Sequence, residues 1–466
     1  MNSFQNRSAA NFHGRLSPAS VDLSPRGPAG VWLPIVIIWL LVLTTFSMPG
    51  REGPSFVGSM DWIALSKAAT RMLAVASVVF AIGYVWDGAR VRTALWYFLP
   101  LGAFAAWAVV SALWSALPAV SVGQALGLIA QLLLAVSLAA VCRTQRHCSA
   151  ILFHLSMSLT VVATILVAAH FVDSGLSGLD RTTDIEGSTG LVHPTSAGAT
   201  ASLGIVIALG AYLIWGWPWS RGLLPYCVAV HAVLLLLANS RMALAMALLT
   251  AGVMLFTLGH RRVLCMGAVA ASLLGVLYLV LDPGMLMAET ALLSVVGFAR
   301  RGESLHLLFS LTGRTELWEA IWESIQRSPW IGHGYFVTSW NGLLNVWSGP
   351  ANRTAHNILL QVLVSTGIVG TLLFLWGMFR PLTLLLPSFA RSHSQRAVVL
   401  FALPMGLWYF GWGQLCESFM GPVQPESVVF YSVLGLIVGT LAPSEVDPSS
   451  RLSQPAWPNR RRAVAT

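Results

Sequence analysis

A succession of apolar stretches of bilayer length is what most limits the folds open to this chain. A helix that crosses a hydrocarbon core needs roughly 17–25 largely apolar residues. About twelve such stretches run along the 466 residues, near 31–48, 68–86, 94–114, 121–141, 149–172, 194–215, 223–238, 241–258, 263–281, 355–378, 397–416 and 427–442. Two of them, 223–238 and 427–442, are short for a crossing, and "LTLLLPSFA" at 382–390 offers one more apolar run. Charged residues make up only 10% of the chain, whereas a soluble domain carries about a quarter. The expected fold class is all-α: a polytopic membrane protein of about twelve transmembrane helices occupying 31–442.

Charge sets the orientation. With the N-terminus inside, the cytoplasmic segments hold 17 of the 27 Lys and Arg and leave 10 outside; of the 18 acids, 14 fall outside. Short loops rich in Lys and Arg stay on the cytoplasmic side, so the net charge of +9 reports topology and not nucleic-acid binding. The polar first 30 residues and the last 24 (443–466) read as disordered cytoplasmic tails, and the loop at 259–262 as cytoplasmic. None of the five cysteines falls in an outer loop, so no disulfide framework is implied and inert thiols are expected.

Two outer segments are longer than the rest, 173–193 and 282–354. Long structureless loops are uncommon in compact domains, so the larger one should carry structure of its own. Within it "TGRTELWEAIWESIQRSPW" places Leu317, Ile321 and Ile325 on one helical face with Trp318 and Trp322 beside them. Acids and Arg327 fill the remainder, which makes an amphipathic helix capped by Thr312 or Gly313 and stopped by Pro329. Laid along the membrane surface, it would roof a cavity open on the outer side.

Four ionisable groups stand at the outer face: His193, Arg241 at the head of a span, Arg314 at the start of the loop helix, and His356 at the head of another span. Each has an ordinary structural reading. Arg241 fits a helix-end anchor, since a charge at the bilayer centre costs about 2.5–3.5 kcal/mol. Arg314 fits a solvated loop charge, though a cation is disfavoured near a helix N-terminus. His356 fits an interfacial imidazole. His193, His306 and His333 read as structural, and Asp184 with Glu186 as a solvated acidic loop. Taken together, two arginines and a histidine at one mouth suit a reaction on a lipid-linked diphosphate. Guanidinium groups grip phosphates bidentately and stay charged, while imidazole is the usual base near neutral pH.

"HNILLQVLVSTGIVGT" resembles the signature of the O-antigen ligase and polysaccharide polymerase family. His356 and Asn357 are followed after nine residues by Gly367, Gly370 and Thr371, without a gap. "NSRMALA", "LTGRTELW" and "SPWIGHGYF" are similar to family patterns in the expected order, and the resemblance covers about 190–380. The "LTGRT" and "GHG" forms look most like the branch serving exopolysaccharide production. "LVHPTSAG" (191–198) departs from the family spelling, so His193 takes no role from it. The resemblance implies a GT-C-like membrane glycosyltransferase acting at the periplasmic face, with His356 as catalytic base. Arg241 and Arg314 would bind the diphosphate, with Asn357 as a supporting hydrogen-bonding residue and the glycines giving close helix packing.

The implied donor is an undecaprenyl-diphosphate-linked oligosaccharide, and the implied partners are membrane lipids and other polysaccharide export proteins. The acceptor is a growing glycan for a polymerase or lipid A-core for a ligase, which these residues do not separate. No cofactor is expected. No metal is expected either, since arginines neutralise the diphosphate and the first outer loop offers only Glu52 and Asp61, nine apart. A transporter or flippase is the competing class, and it more often shows paired charges or broken helices near the bilayer midplane.

Overall fold

In a computed structural model, the described residues are 31–46, 62–179, 190–216, 222–269, 273, 314–346, 354–388, 392–416 and 419–443. The tails 1–30 and 444–466, the loop 282–313 with His306 and the caps Thr312 and Gly313, and the acids Glu52, Asp61, Asp184 and Glu186 lie outside them. Twelve long helices are labelled here: α1 Trp32–Leu43, α2 Trp62–Tyr84, α3 Gly88–Val110, α4 Pro118–Val141, α5 Gln145–Val172, α6 Pro194–Trp215, α7 Leu223–Leu237, α8 Arg241–Thr257, α9 Arg314–Arg327, α10 Ile358–Leu382, α11 His393–Gly413 and α12 Pro425–Leu441. Helical backbone also covers 261–269.

Each of the twelve apolar stretches falls mainly on helix, those at 31–48 and 263–281 only as far as the described residues reach. Among the described residues, six helices are long and apolar enough to cross a membrane, and α1, α7, α8 and α12 are shorter apolar helices. The chain is therefore an all-helical, multi-pass membrane protein. Among the described residues of the run at 382–390, one helical turn lies at Leu385–Ser388, and the candidate span that begins at Ile358 reaches Pro387.

Helices run past the apolar stretches wherever a cap lies beyond them. The third stretch begins at 94, yet α3 starts at Gly88, because the Asp87 carboxylate accepts from Ala89 N at 3.1 Å. Arg90 and Arg92 thus extend the helix before its apolar part, and Asp87 pairs with Arg143 at 3.3 Å on the surface. Thr144 likewise caps α5 through His147 N, and Pro118 occupies the first turn of α4, a position where its missing N–H costs nothing.

The core is built around α12, buried along nearly its whole length. It packs closely on α4 because Gly435 has no side chain there: a Cβ would stand 2.7 Å from Ala135 O. Small residues permit this approach where lipid and core are equally apolar. Around this pair α3, α6, α10 and α11 close one continuous apolar cluster, with Trp408 and Trp412 fully buried in it.

The amphipathic helix forms as its sequence predicts. In α9, Leu317 and Ile321 are fully buried and Ile325 nearly so, against Ala355 and Val364 at the start of α10. It ends at Arg327, two residues before Pro329.

Candidate functional site

The segment after α9 explains both "SPWIGHGYF" and the glycine signature. α10 is broken at Gly367, whose φ of 66° and ψ of −170° belong to neither helix nor strand. Such a conformation is essentially open to glycine alone. The break frees backbone groups on both sides, and the 329–334 segment takes them up. Ile368 N donates to Pro329 O at 2.8 Å and Val369 N to Trp330 O at 3.3 Å; His333 N donates to Val364 O at 3.0 Å and Gly334 N to Ser365 O at 2.9 Å. Trp107 Nε1 donates to Thr366 O at 3.1 Å. The two backbones touch: a Cβ on Gly367 would overlap the Trp330 carbonyl, and one on Gly332 would overlap Ser365. Irregular backbone within a membrane-spanning segment is tolerated when protein covers it. Gly367 therefore serves a docked loop, where close packing between helices was expected; a Cβ on Gly370 would overlap the Thr366 side chain of its own helix and stand 3.0 Å from Trp107 of α3.

That docked loop anchors the site-bearing end of the bundle. Tyr335 N donates to Ser111 Oγ at 2.7 Å, tying it to the end of α3. Burial pushes the Tyr335 phenol above its ordinary pKa. His333 is buried, with its Nε2 2.8 Å from Ser324 O and 3.1 Å from Ser324 Oγ. It pins the loop to α9, as its structural reading expected.

His356 stands in this framework with a backbone φ of 47°, a left-handed conformation uncommon for any side-chain-bearing residue though less so for His. Its neighbours hold it there. Before it, Ala355 N donates to Gln361 Oε1 at 2.7 Å, and Ala355 O accepts from Trp318 Nε1 at 2.9 Å. After it, Asn357 Oδ1 accepts from Leu359 N at 3.0 Å and Leu360 N at 3.1 Å, capping α10. Asn357 Nδ2 donates to Gln414 O at 3.2 Å, at the end of α11. Both ends of the Asn357 amide are thus engaged by the protein.

Arg314 begins α9 one turn before Trp318, whose indole reaches Ala355, so it stands beside the segment that carries His356. Arg241 begins α8 at the same end of the bundle. The preceding Ser240 packs on Gly198 near the start of α6, 2.6 Å from where a Cβ would be, and the following Met242 lies 4.0 Å from the same point on Gly411, three residues before Gln414. Arg241, Arg314 and His356 are all half-buried. His193 is exposed and caps α6, its Nδ1 accepting from Thr195 N at 3.2 Å.

Sequence reasoning passed over two further charged residues. Glu426, in the first turn of α12, is only 2% exposed; its carboxylate accepts from Ser196 Oγ at 3.2 Å, and its backbone carbonyl accepts from Tyr409 OH at 2.7 Å. Arg71 lies within α2, its guanidinium 3.7 Å from where a Cβ on Gly127 of α4 would be. Both signals stood in the sequence: an acid directly after the proline that opens the last span, and an arginine inside "SKAATRMLAVASVVF". Charges within a span are costly enough to mark function.

Residues 226–375 match a family model described as O-antigen ligase. That segment includes Arg241, Arg314, His356 and Asn357. The chain matches no curated protein.

Proposed function

We propose, from the match of residues 226–375 to a family model described as O-antigen ligase, that this chain takes a lipid-linked glycan donor and an acceptor and is a glycosyltransferase working at the periplasmic face of the bacterial inner membrane. Its donor is an undecaprenyl-diphosphate-linked saccharide. Its product is an extended exopolysaccharide, made by polymerisation. The twelve-span plan and the charge distribution of the loops support this orientation.

The reaction is a single displacement. The bond from the anomeric carbon to the diphosphate oxygen breaks, and its electron pair leaves with the polyprenyl diphosphate. The acceptor hydroxyl forms the new bond to that carbon and gives its proton to His356. Inversion at the anomeric carbon follows. Arg241 and Arg314 grip the diphosphate through fork-shaped, permanently charged donors and stabilise the charge that grows on the leaving group. The carrying observation is the restraint on His356: a residue in a sparsely populated backbone conformation, fixed by hydrogen bonds on both neighbours. Backbone strain of this kind, of order 1–3 kcal/mol, clusters at active sites.

A ligase that caps lipid A-core uses the same chemistry with a different acceptor. Deleting the gene and analysing the surface glycans separates the two. Loss of secreted polymer with intact lipopolysaccharide is the expected result. Uncapped lipid A-core would assign the ligase reaction, and an unaltered glycan profile would remove the transferase reading.

A further inference from the structure

A cleft of about 490 Å³ lies at the far end of α9 from Arg314. Trp114, just past the end of α3, Trp340, and Arg327 at the end of α9 line it, and the docked loop from Ser328 to His333 completes it. The volume falls in the range of about 300–1,000 Å³ usual for small-molecule sites. The frame of the cleft is fixed by the fold. Gly332 packs so closely on the Ser365 backbone that a Cβ would overlap it, and Gly334 packs on Ser115 in the same way. His333 is held by Ser324.

Two features say what the cleft takes. The first is its indoles. Trp340 is 76% exposed, and the buried indole N–H of Trp114 has no hydrogen-bond partner among the described residues. A tryptophan offers a flat apolar face with one donor at its edge. That matches a pyranose ring, which has C–H groups on its faces and hydroxyls round its rim. The second feature is charge. Arg327 is exposed and makes no ion pair among the described residues, and among them no Asp or Glu lines the cleft. A guanidinium in a cleft without an acid favours a carboxylate, which it grips bidentately. Tryptophans also gather at membrane–water interfaces as anchors, but an anchor needs neither a cleft nor an arginine sharing it.

We infer that this cleft is a second binding place for the growing saccharide, and that the saccharide is acidic. Pyranose rings lie on Trp114 and Trp340 while a uronate-type carboxylate pairs with Arg327. The size suits a short run of sugars: an apolar cavity of about 150 Å³ takes a benzene ring, and the cleft, at about 490 Å³, is roughly three times as large. The inference rests on the proposed reaction and adds a substrate class to it. Arg314 and Arg327 open and close α9, about 20 Å of helix rise apart. The cleft therefore meets sugars several rings away from the anomeric carbon that reacts. Because its walls are already in place, little ordering is required on binding, and a chain held there stays on the enzyme between transfers.

The test uses the full chain in lipid nanodiscs and two lipid-free acidic probes, a hexagalacturonate and a hyaluronan hexasaccharide, each beside its carboxyl-reduced neutral form. Binding is read by calorimetry. At least one acidic probe should bind, and its neutral form should bind about tenfold more weakly, as expected for loss of a hydrogen-bonded charge. Trp340→Ala and Arg327→Gln should each weaken binding of the acidic probe to a similar extent. Trp322→Ala, which removes a 52% exposed indole of α9 outside the cleft, should leave it unchanged. Should Trp340→Ala not accumulate, Arg327→Gln carries the same comparison at an exposed helix end. No binding of either acidic probe at millimolar concentration, equal affinity for charged and neutral forms, or equal loss in the Trp322 variant would each overturn the inference. Glycan transfer measured in the same nanodiscs keeps the two claims apart. Transfer without probe binding removes the cleft and keeps the reaction, whereas probe binding without transfer keeps the cleft as a saccharide site and removes the reaction.

Discussion

Asn357 joins the start of α10 to the end of α11 by donating its Nδ2 to Gln414 O at 3.2 Å, while its Oδ1 caps α10. One side chain thereby fixes the residue before it, His356, relative to two helices.

Separating the two ends of that amide is informative. Asn357→Asp keeps the capping oxygen and removes the Nδ2 donor, whereas Asn357→Ala removes both. A lost N-cap costs about 0.5–2 kcal/mol. The alanine variant should therefore lower both thermal stability and transfer. The aspartate variant should keep near-normal stability with transfer reduced several-fold, read as a lower kcat at similar KM for donor. Equal transfer in wild type and both variants would show that the α10–α11 tie has no bearing on His356.

The break in α10 makes a second prediction. Gly367→Ala adds a Cβ that overlaps the Trp330 carbonyl, at a φ of 66°. Backbone strain of about 1–3 kcal/mol adds to the clash, so the variant should unfold at lower temperature and expose 329–334 to protease. His333→Ala should act in the same direction by unpinning the loop from α9. A Gly367→Ala protein as stable as wild type would mean the loop does not dock there.

The arginine prediction depends on geometry more than on charge. Arg241→Lys and Arg314→Lys keep a positive charge but lose the planar fork, so each should raise the KM for donor and lower kcat/KM by roughly ten- to a hundredfold, or about 1.4–2.7 kcal/mol at 1.36 kcal/mol per decade. Full complementation of a deletion strain by both variants would return Arg241 to a helix-end anchor and Arg314 to a solvated loop charge.

Much of this architecture was legible in the sequence because it rests on periodicity and local caps. α6 begins at the proline after His193, and α9 presents the face that its spacing of Leu317, Ile321 and Ile325 requires. The site-bearing ends of α8, α9 and α10 were legible for the same reason, since charges at the ends of apolar runs are conspicuous. Long-range backbone pairing was not. The apolar pattern runs through Gly367 without interruption, and its break exists because 329–334, more than thirty residues earlier, supplies the donors and acceptors. Glu426 was passed over because burial of a carboxylate depends on Ser196, 230 residues away in sequence.

The central claim is that His356 takes the proton of the acceptor hydroxyl, and the most direct measurement is single-turnover transfer by purified wild-type and His356→Ala protein in nanodiscs. The donor is an undecaprenyl-diphosphate-linked oligosaccharide, and photolabelling by a polyprenyl diphosphate probe that carries a diazirine serves as a separate measure of binding. General-base catalysis contributes typically 10²–10⁴-fold, so His356→Ala should lose at least a hundredfold in transfer rate while binding the probe as wild type does. Transfer within a few-fold of wild type at equal binding would contradict the account and leave the imidazole with no part in the chemistry.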